Sequence, residues 1–228
     1  MSVPFTLVLE TSTPHASLAT VEPDGRLLQR DFTSDRSHNA VLFSPLKELL
    51  DARETIEIGL VLVGSGPGSY SGTRVGIAAA QGVAIASGCP AVAVPSILAV
   101  PAVQCGGACL AIGDARRGSY WTARMEGFTL PEEPELTDAD GLERIVSAAI
   151  TAGIPVISFE NAGRFPLHSE LREQVGLEFP NAERLWQVWN RTDRQTREAW
   201  LKLPPQPIYL KPPHITPAKR SWLVKPQA

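Results

Sequence analysis

The run Phe5-Thr6-Leu7-Val8-Leu9-Glu10-Thr11-Ser12-Thr13 is a compact apolar strand that ends in a carboxylate and small hydroxyl residues. A second run of the same kind, Ala108-Cys109-Leu110-Ala111-Ile112-Gly113-Asp114-Ala115-Arg116-Arg117, follows later in the chain. Each opens a series of elements. After the first come apolar stretches at Ser17 to Val21 and Arg26 to Phe32, with Pro14 and Asp24-Gly25 marking the turns, a pattern that predicts three short strands in an antiparallel meander. The period then changes. Val41, Leu42, Leu46, Leu49 and Leu50 fall at helical spacing, with Ser37 placed to cap the helix and Pro45 to kink it. Gly59 to Gly64 reads as strand, Thr73 to Ser87 as helix and Ala91 to Val94 as strand.

After the second run, Ser119 to Glu126 reads as strand, Gly141 to Ala152 as helix and Pro155 to Phe159 as strand. The order βββαβα thus recurs, which predicts an internal duplication. Two such lobes, each with an acidic residue at the C-terminal end of its first strand, predict an α/β protein of actin-like, or ribonuclease H-like, architecture. In that ATPase-type fold nucleotide chemistry occupies the cleft. The expected boundaries are an N-terminal lobe over 1–107, a C-terminal lobe over 108–203 and a proline-rich basic tail over 204–228. Leu203 to Ala228 carries seven prolines and no periodicity, the composition of an extended segment.

The chain has 228 residues, 43% hydrophobic and 20% charged, which excludes intrinsic disorder and collagen. A net charge of -3 argues against a surface that is wholly a nucleic-acid footprint. The charge is uneven: from Asn181 onward nine Lys and Arg stand against three Asp and Glu, so the basic end is the expected polyanion surface. The three cysteines, Cys89, Cys105 and Cys109, and an N-terminus without a basic region or long apolar run predict a reducing cytoplasm. The apolar tract from Val75 to Val103 is broken by Gln81, Gly82, Gly88, Pro90, Pro95 and Pro101 into pieces too short to cross a membrane.

The glycine-rich loop Gly64-Ser65-Gly66-Pro67-Gly68-Ser69-Tyr70-Ser71-Gly72-Thr73-Arg74 lies between a predicted strand and a predicted helix. Such loops can cradle phosphates at a helix N-terminus, but the spacing matches neither a Walker loop nor G-x-G-x-x-G. A tight turn or an interface is the better reading. The helix that follows repeats Gly76, Ala80 and Ala84 at every fourth position, a spacing that lets another helix come close. Ser69 and Ser71 lie in no nucleophile elbow. His15, His38, His168 and His214 are scattered without metal-ligand spacing, and Cys105-Gly-Gly-Ala-Cys109 lacks companion ligands. No catalytic or metal-ligating residue is therefore assigned. Glu10 and Asp114 could hold Mg2+ or act as a base, with Thr11 and Thr13 beside them as phosphate contacts. The plainer reading is that both carboxylates cap strand ends, Asp114 paired with Arg116 or Arg117. Trp186 and Trp189, three apart, anchor a helix to the core. Together with Trp200 and Trp222 they could instead stack on unpaired bases among the C-terminal basic residues.

Four blocks carry a family resemblance. Gly66-Pro67-Gly68-Ser69-Tyr70-Ser71-Gly72-Thr73-Arg74-Val75-Gly76-Ile77 resembles the G-P-G-S-F-T-G-L-R-I-G-L signature of the TsaB (YeaZ) family. Leu9 to Thr13 resembles its I-D-T-S-T opening, Asp114 to Gly118 its D-A-R-R-G element, and Tyr209-Leu210-Lys211-Pro212-Pro213-His214-Ile215-Thr216 its closing Y-L-R-P-P-E-I-T. Glu10 replaces the usual Asp, Tyr70-Ser71 replaces Phe-Thr, and His214 stands where Glu is common. The resemblance implies a non-catalytic, actin-like scaffold that pairs with a related catalytic subunit, TsaD. With the ATPase TsaE, that complex transfers a threonylcarbamoyl group to the adenosine next to the tRNA anticodon. It further implies no cofactor in this chain, ATP or ADP at a subunit boundary, a homodimer when the chain is alone, tRNA met through the complex, and no membrane.

The family's dimer face maps onto 39–52 and 73–87. Asn39, Leu42, Phe43 and Leu46 are its expected contacts on the first helix. On the second and the turn before it they are Tyr70, Arg74, Gly76, Ile77, Ala80, Val83 and Ala84. The rival readings are an actin-like phosphotransferase or ATPase using Glu10 and Asp114, and a metallopeptidase.

Overall fold

The computed structural model describes residues 4–33, 41–52 and 57–210. Two five-stranded sheets carry the chain. The first is built from β1 (Phe5–Glu10), β2 (His15–Val21), β3 (Leu27–Thr33), β4 (Ile58–Gly64) and β5 (Ala91–Val94), in the order β3-β2-β1-β4-β5. β1, β2 and β3 pair antiparallel, while β4 joins β1 and β5 joins β4 in parallel. The second sheet holds β6 (Ala108–Asp114), β7 (Tyr120–Glu126), β8 (Glu135–Thr137), β9 (Val156–Ser158) and β10 (Val175–Leu177). Read from β8 to β10, its order and strand directions repeat the first. The molecule is two lobes of actin-like topology.

The helices are α1 (Phe43–Asp51), α2 (Tyr70–Ser87), α3 (Pro101–Gln104), α4 (Ala139–Thr151), α5 (Ser169–Arg172), α6 (Ala182–Arg191) and α7 (Arg194–Leu201). α2 begins three residues before the periodicity suggests, because the Ser69 hydroxyl accepts the Gly72 amide at 3.2 Å and caps the first turn. It ends at Gly88 in the left-handed conformation. Pro45 lies in the first turn of α1, after a bend at Leu42, where its missing amide costs no helical hydrogen bond. Ser37 and Asn39 lie outside the described residues. β8 completes the second meander. Its three residues, two of them exposed, carry no alternation long enough to read.

Both faces of the first sheet are buried, which is why its central strands read as unbroken apolar runs. Leu7, Leu9, Leu18, Val61 and Val63 point toward α1 and α2. Val8, Ala19, Leu62, Val92 and Val94 point the other way, into a cluster shared with Ala111, Trp121, Ala123 and Met125 of the second sheet and Leu185 and Val188 of α6. One continuous core therefore joins the lobes. A third cluster, centred on Ile112, Leu142, Val146 and Phe165, sits under α4.

α6 lies across the first sheet, although it follows the second in the chain. Its N-terminal amides are all engaged: Ala182 donates to the Ser17 hydroxyl at 2.7 Å, Glu183 to the Gln29 side-chain carbonyl at 3.0 Å and Arg184 to Asn181 at 2.8 Å. Trp189 is buried and stacks on Trp200 with ring centroids 6.4 Å apart, and Trp186 packs beside the same core. Trp186 and Trp189 are the anchors their spacing predicts. Among the described residues no helix is long and apolar enough to cross a membrane.

Candidate functional site: the glycine loop and the outward face of the N-lobe helices

The loop from Gly64 to Ser69 grips the turn between β1 and β2. Ser65 donates its amide to Val94, and Gly66 donates its own to the Ser96 hydroxyl at 3.0 Å. Gly66 has a φ of +85° and precedes a cis peptide bond to Pro67, a backbone that favours glycine. The Ser69 amide reaches the Ser12 carbonyl at 2.6 Å, and the Thr11 hydroxyl donates to the Gly72 carbonyl at 2.8 Å. Two of the glycines mark this close approach. A Cβ on Gly68 would overlap the Ser12 carbonyl, and one on Gly76 would overlap the Thr11 hydroxyl. The glycines thus make room for the chain's own backbone and side chains.

That clasp decides what the turn can do. Glu10, Thr11 and Ser12 are fully buried and Thr13 nearly so. Glu10 Oε1 accepts the Ser12 amide at 2.7 Å, whereas Oε2 is buried without a hydrogen-bond partner. Burial pushes the Glu10 carboxyl above its ordinary range, against the opposing pull of the polar groups of Ser12 and Ser96 around it. A side chain with no exposed surface is out of reach of a hydrated Mg2+ ion or a substrate, so enclosure argues against both the ligand and the base role. Thr13 donates its hydroxyl to the His15 carbonyl at 3.0 Å. Thr11 and Thr13, the expected phosphate contacts, donate their hydroxyls to the backbone carbonyls of Gly72 and His15.

Asp114 ends β6 as Glu10 ends β1. Its Oδ1 accepts the Arg116 amide at 2.6 Å and its Oδ2 the Arg116 guanidinium at 2.9 Å, the ion pair that the adjacent arginines suggest. Arg116 and Arg117 both adopt positive φ, 67° and 60°, which is uncommon for such residues. The Asp114 amide donates to Glu160 Oε2 at 2.9 Å, and Glu160 also pairs with Arg164 at 3.4 Å. No sequence signal links Glu160 to Asp114, since the contact depends on β9 lying beside β6. Each carboxylate is engaged within its own lobe, and no described hydrogen bond or ion pair joins Glu10 to Asp114.

The expected partner contacts divide by face. Leu42, Leu46, Gly76, Ile77, Ala80 and Ala84 are buried within their own lobe, so their assignment to a partner surface is corrected here. Five of the six pack in the core between the helices and the first sheet, and Gly76 lies against Thr11. Val83 is half-buried against that core. Phe43, Tyr70 and Arg74 do face outward, with Phe43 59% and Tyr70 66% exposed. The spacing of Gly76, Ala80 and Ala84 marks the inward ridge of α2. The exposed ridge, missed by that reading, runs through Ser71, Arg74, Ala78, Gly82 and Ile85, the last 82% exposed. It is apolar and made largely of small residues, with Arg74 as the sole charged side chain of the helix.

A family model described as TsaD: tRNA N6-adenosine threonylcarbamoyltransferase matches residues 32–162. An uncharacterized protein of Mycobacterium leprae is 33% identical over 143 residues, covering 59% of this chain and 40% of that protein. One from Mycobacterium tuberculosis (strain ATCC 25618 / H37Rv) is 34% identical over 127 residues, covering 54% and 60%. The chain therefore spans about half the length of these curated relatives. The tRNA threonylcarbamoyladenosine biosynthesis protein TsaB of Escherichia coli (strain K12) is 31% identical over 122 residues, 50% of this chain and 52% of that one. Among solved structures, YeaZ from Pseudomonas aeruginosa superposes with a TM-score of 0.67 at 21% identity, covering 91% of this chain and 100% of that one. It shares the fold.

Proposed function

Because the chain belongs to the family described as TsaD: tRNA N6-adenosine threonylcarbamoyltransferase, whose model matches more than half of it, we propose that it takes part in tRNA threonylcarbamoyladenosine biosynthesis. Within that process it is a non-catalytic scaffold, and its partner is a TsaD-like catalytic subunit. The likeness to the E. coli tRNA threonylcarbamoyladenosine biosynthesis protein TsaB supports a place in that process. The observation that carries it is the contrast between the two parts of the N-lobe. The β1–β2 turn is sealed by its own glycine loop with Glu10 enclosed inside, while the small-residue ridge of α2 is left uncovered.

The docking face is the outward side of α1 and α2: Phe43, Tyr70, Arg74, Ala78, Gly82 and Ile85. Side chains this small let a partner helix approach closely, and Ile85 and Tyr70 supply the apolar area. In the absence of the partner the same face pairs with a second copy. A TsaE-like ATPase joins the complex, ATP or ADP lies at a subunit boundary, and tRNA is met through the assembly. The catalytic centre belongs to the partner.

The test is reconstitution. tRNA modification is assayed with the TsaD-like and TsaE-like subunits, with and without this chain. The expected result is modified tRNA only when this chain is present, and none from this chain alone. Product formed by this chain unaccompanied would overturn the proposal. Replacing Ala78 by Glu should abolish co-purification with the catalytic subunit while leaving the fold intact, since a long side chain there blocks the close approach of a partner helix and, four residues from Arg74, captures that cation.

A further inference from the structure

The segment after α7 returns to the N-lobe. Gln81 donates its side-chain amide to the Pro205 carbonyl at 3.3 Å, the Ile208 amide donates to the Ser65 carbonyl at 2.9 Å, and Leu210 packs against the central core. Arg74 and Gln81 lie about 10 Å apart along α2 at the helical rise. Pro205 and Tyr209 lie about 12 Å apart in an extended chain. The two spans match, so residues 205–209 form a strap that runs antiparallel along α2.

The strap ends on Arg74. Its guanidinium lies over the Tyr70 ring at 3.9 Å from the centroid and 5.5 Å from that of Tyr209, and it donates to the Tyr209 hydroxyl at 3.0 Å. The glycine-loop segment of the N-lobe and the segment around Tyr209 thus meet at a single cation. Among the described residues no carboxylate forms an ion pair with Arg74. The two tyrosines fix the orientation of this arginine and leave its charge uncompensated on the exposed ridge.

We propose that Tyr209 is a positioning residue of the docking face: the strap holds Arg74 between two tyrosine rings so that it meets a carboxylate of the TsaD-like subunit. The proposal rests on the docking reading above and extends it, since the face then includes a residue from the C-terminal part of the chain. The uncompensated charge on an otherwise uncharged helix argues for an acidic group on the partner. A strap already in place also spares the complex the cost of ordering a long side chain on binding.

The experiment measures the affinity of the full chain for the TsaD-like subunit by calorimetry, with thermal melts as the check on folding. Tyr209→Ala should weaken binding about tenfold, and Tyr209→Phe, which keeps the ring and loses the hydroxyl, about threefold. Arg74→Ala should weaken it at least as much. The double variant should bind no worse than Arg74→Ala alone, because Tyr209 acts through that arginine. If Tyr209→Ala does not fold, Tyr209→Phe carries the same test. Full affinity in the Tyr209 variants while Ala78→Glu abolishes binding would overturn the role of the strap and leave the docking face standing. Independent effects that multiply in the double variant would equally overturn it. Full affinity in Ala78→Glu would remove the docking face itself, and this inference with it.

Discussion

Replacing Glu10 by glutamine should stabilise the protein at neutral pH and flatten the dependence of its stability on pH. The carboxyl is fully enclosed, with one oxygen bonded to the Ser12 amide and the other without a partner, and burial raises its pKa above 4.5. The folded state therefore keeps a proton that the unfolded chain releases above about pH 4.5. The stability this proton provides is fully present below that pH and is lost as the pH climbs toward the folded-state value, by up to about 1.4 kcal/mol per pH unit. Glutamine has no proton to lose, keeps an acceptor for the Ser12 amide, and can donate to the Ser12 hydroxyl, which has no partner of its own. The gap between variant and parent should widen as the pH rises from 4.5 toward the folded-state value, at no more than about 1.4 kcal/mol per pH unit. Urea unfolding followed by tryptophan fluorescence measures the gap, with the buried Trp121 and Trp189 as reporters. The other carboxylates titrate alike in both proteins and cancel in the difference. Curves that stay parallel above pH 4.5, or that converge as the pH rises, would refute a Glu10 carboxyl raised by burial.

Ala80→Glu places a charge among Leu7, Leu49 and Val63 rather than at a surface. It should lower stability by about 4 kcal/mol or more in denaturant titration, whereas Ala78→Glu should melt like the parent. The glycines of α2 should behave oppositely. Gly76→Ala meets the Thr11 hydroxyl and should cost about 1 to 3 kcal/mol, while Gly82→Ala enters open space and should gain about 0.5 to 1 kcal/mol, both read from melts of the isolated chain. Cys109 is buried, and desolvation with help from Glu178 pushes its thiol up to about 12. Iodoacetamide at pH 8 should label the exposed Cys105 and spare Cys109 until the protein unfolds, as peptide mass mapping would report.

The strands of the first sheet were plain in the sequence because both their faces are buried, so Leu7 to Leu9 and Val61 to Val63 stand out as continuous apolar runs. Glu135-Leu136-Thr137 left no such mark, being short and largely solvent-facing. The orientation of α2 was illegible for a related reason. Val75, Ile77, Val83 and Ile85 distribute apolar side chains around the helix, so composition alone does not say which ridge faces the sheet. Gly76 is small because Thr11, far away in the sequence, lies against it, and Ala80 and Ala84 are small where the helix packs on the first sheet. The ion pair of Asp114 with Arg116 was legible because the partners are two residues apart. The burial of Glu10 was not, since it arises only when the glycine loop folds over the turn.

The seating of α6 sets an order of events during synthesis. The inward side of the first sheet, with Val8, Ala19, Leu62 and Val92, is covered by a helix that begins about 90 residues after β5 ends. At ordinary elongation rates the ribosome needs about 5 to 20 s to translate that interval. Throughout it the plane has only the residues just after β5 and then β6 and β7 to pack against, and Ser17 and Gln29 wait for the amides they will hold. A chain stopped after residue 107 would keep that plane uncovered, so such a fragment should precipitate or recruit a chaperone instead of behaving as a free-standing unit.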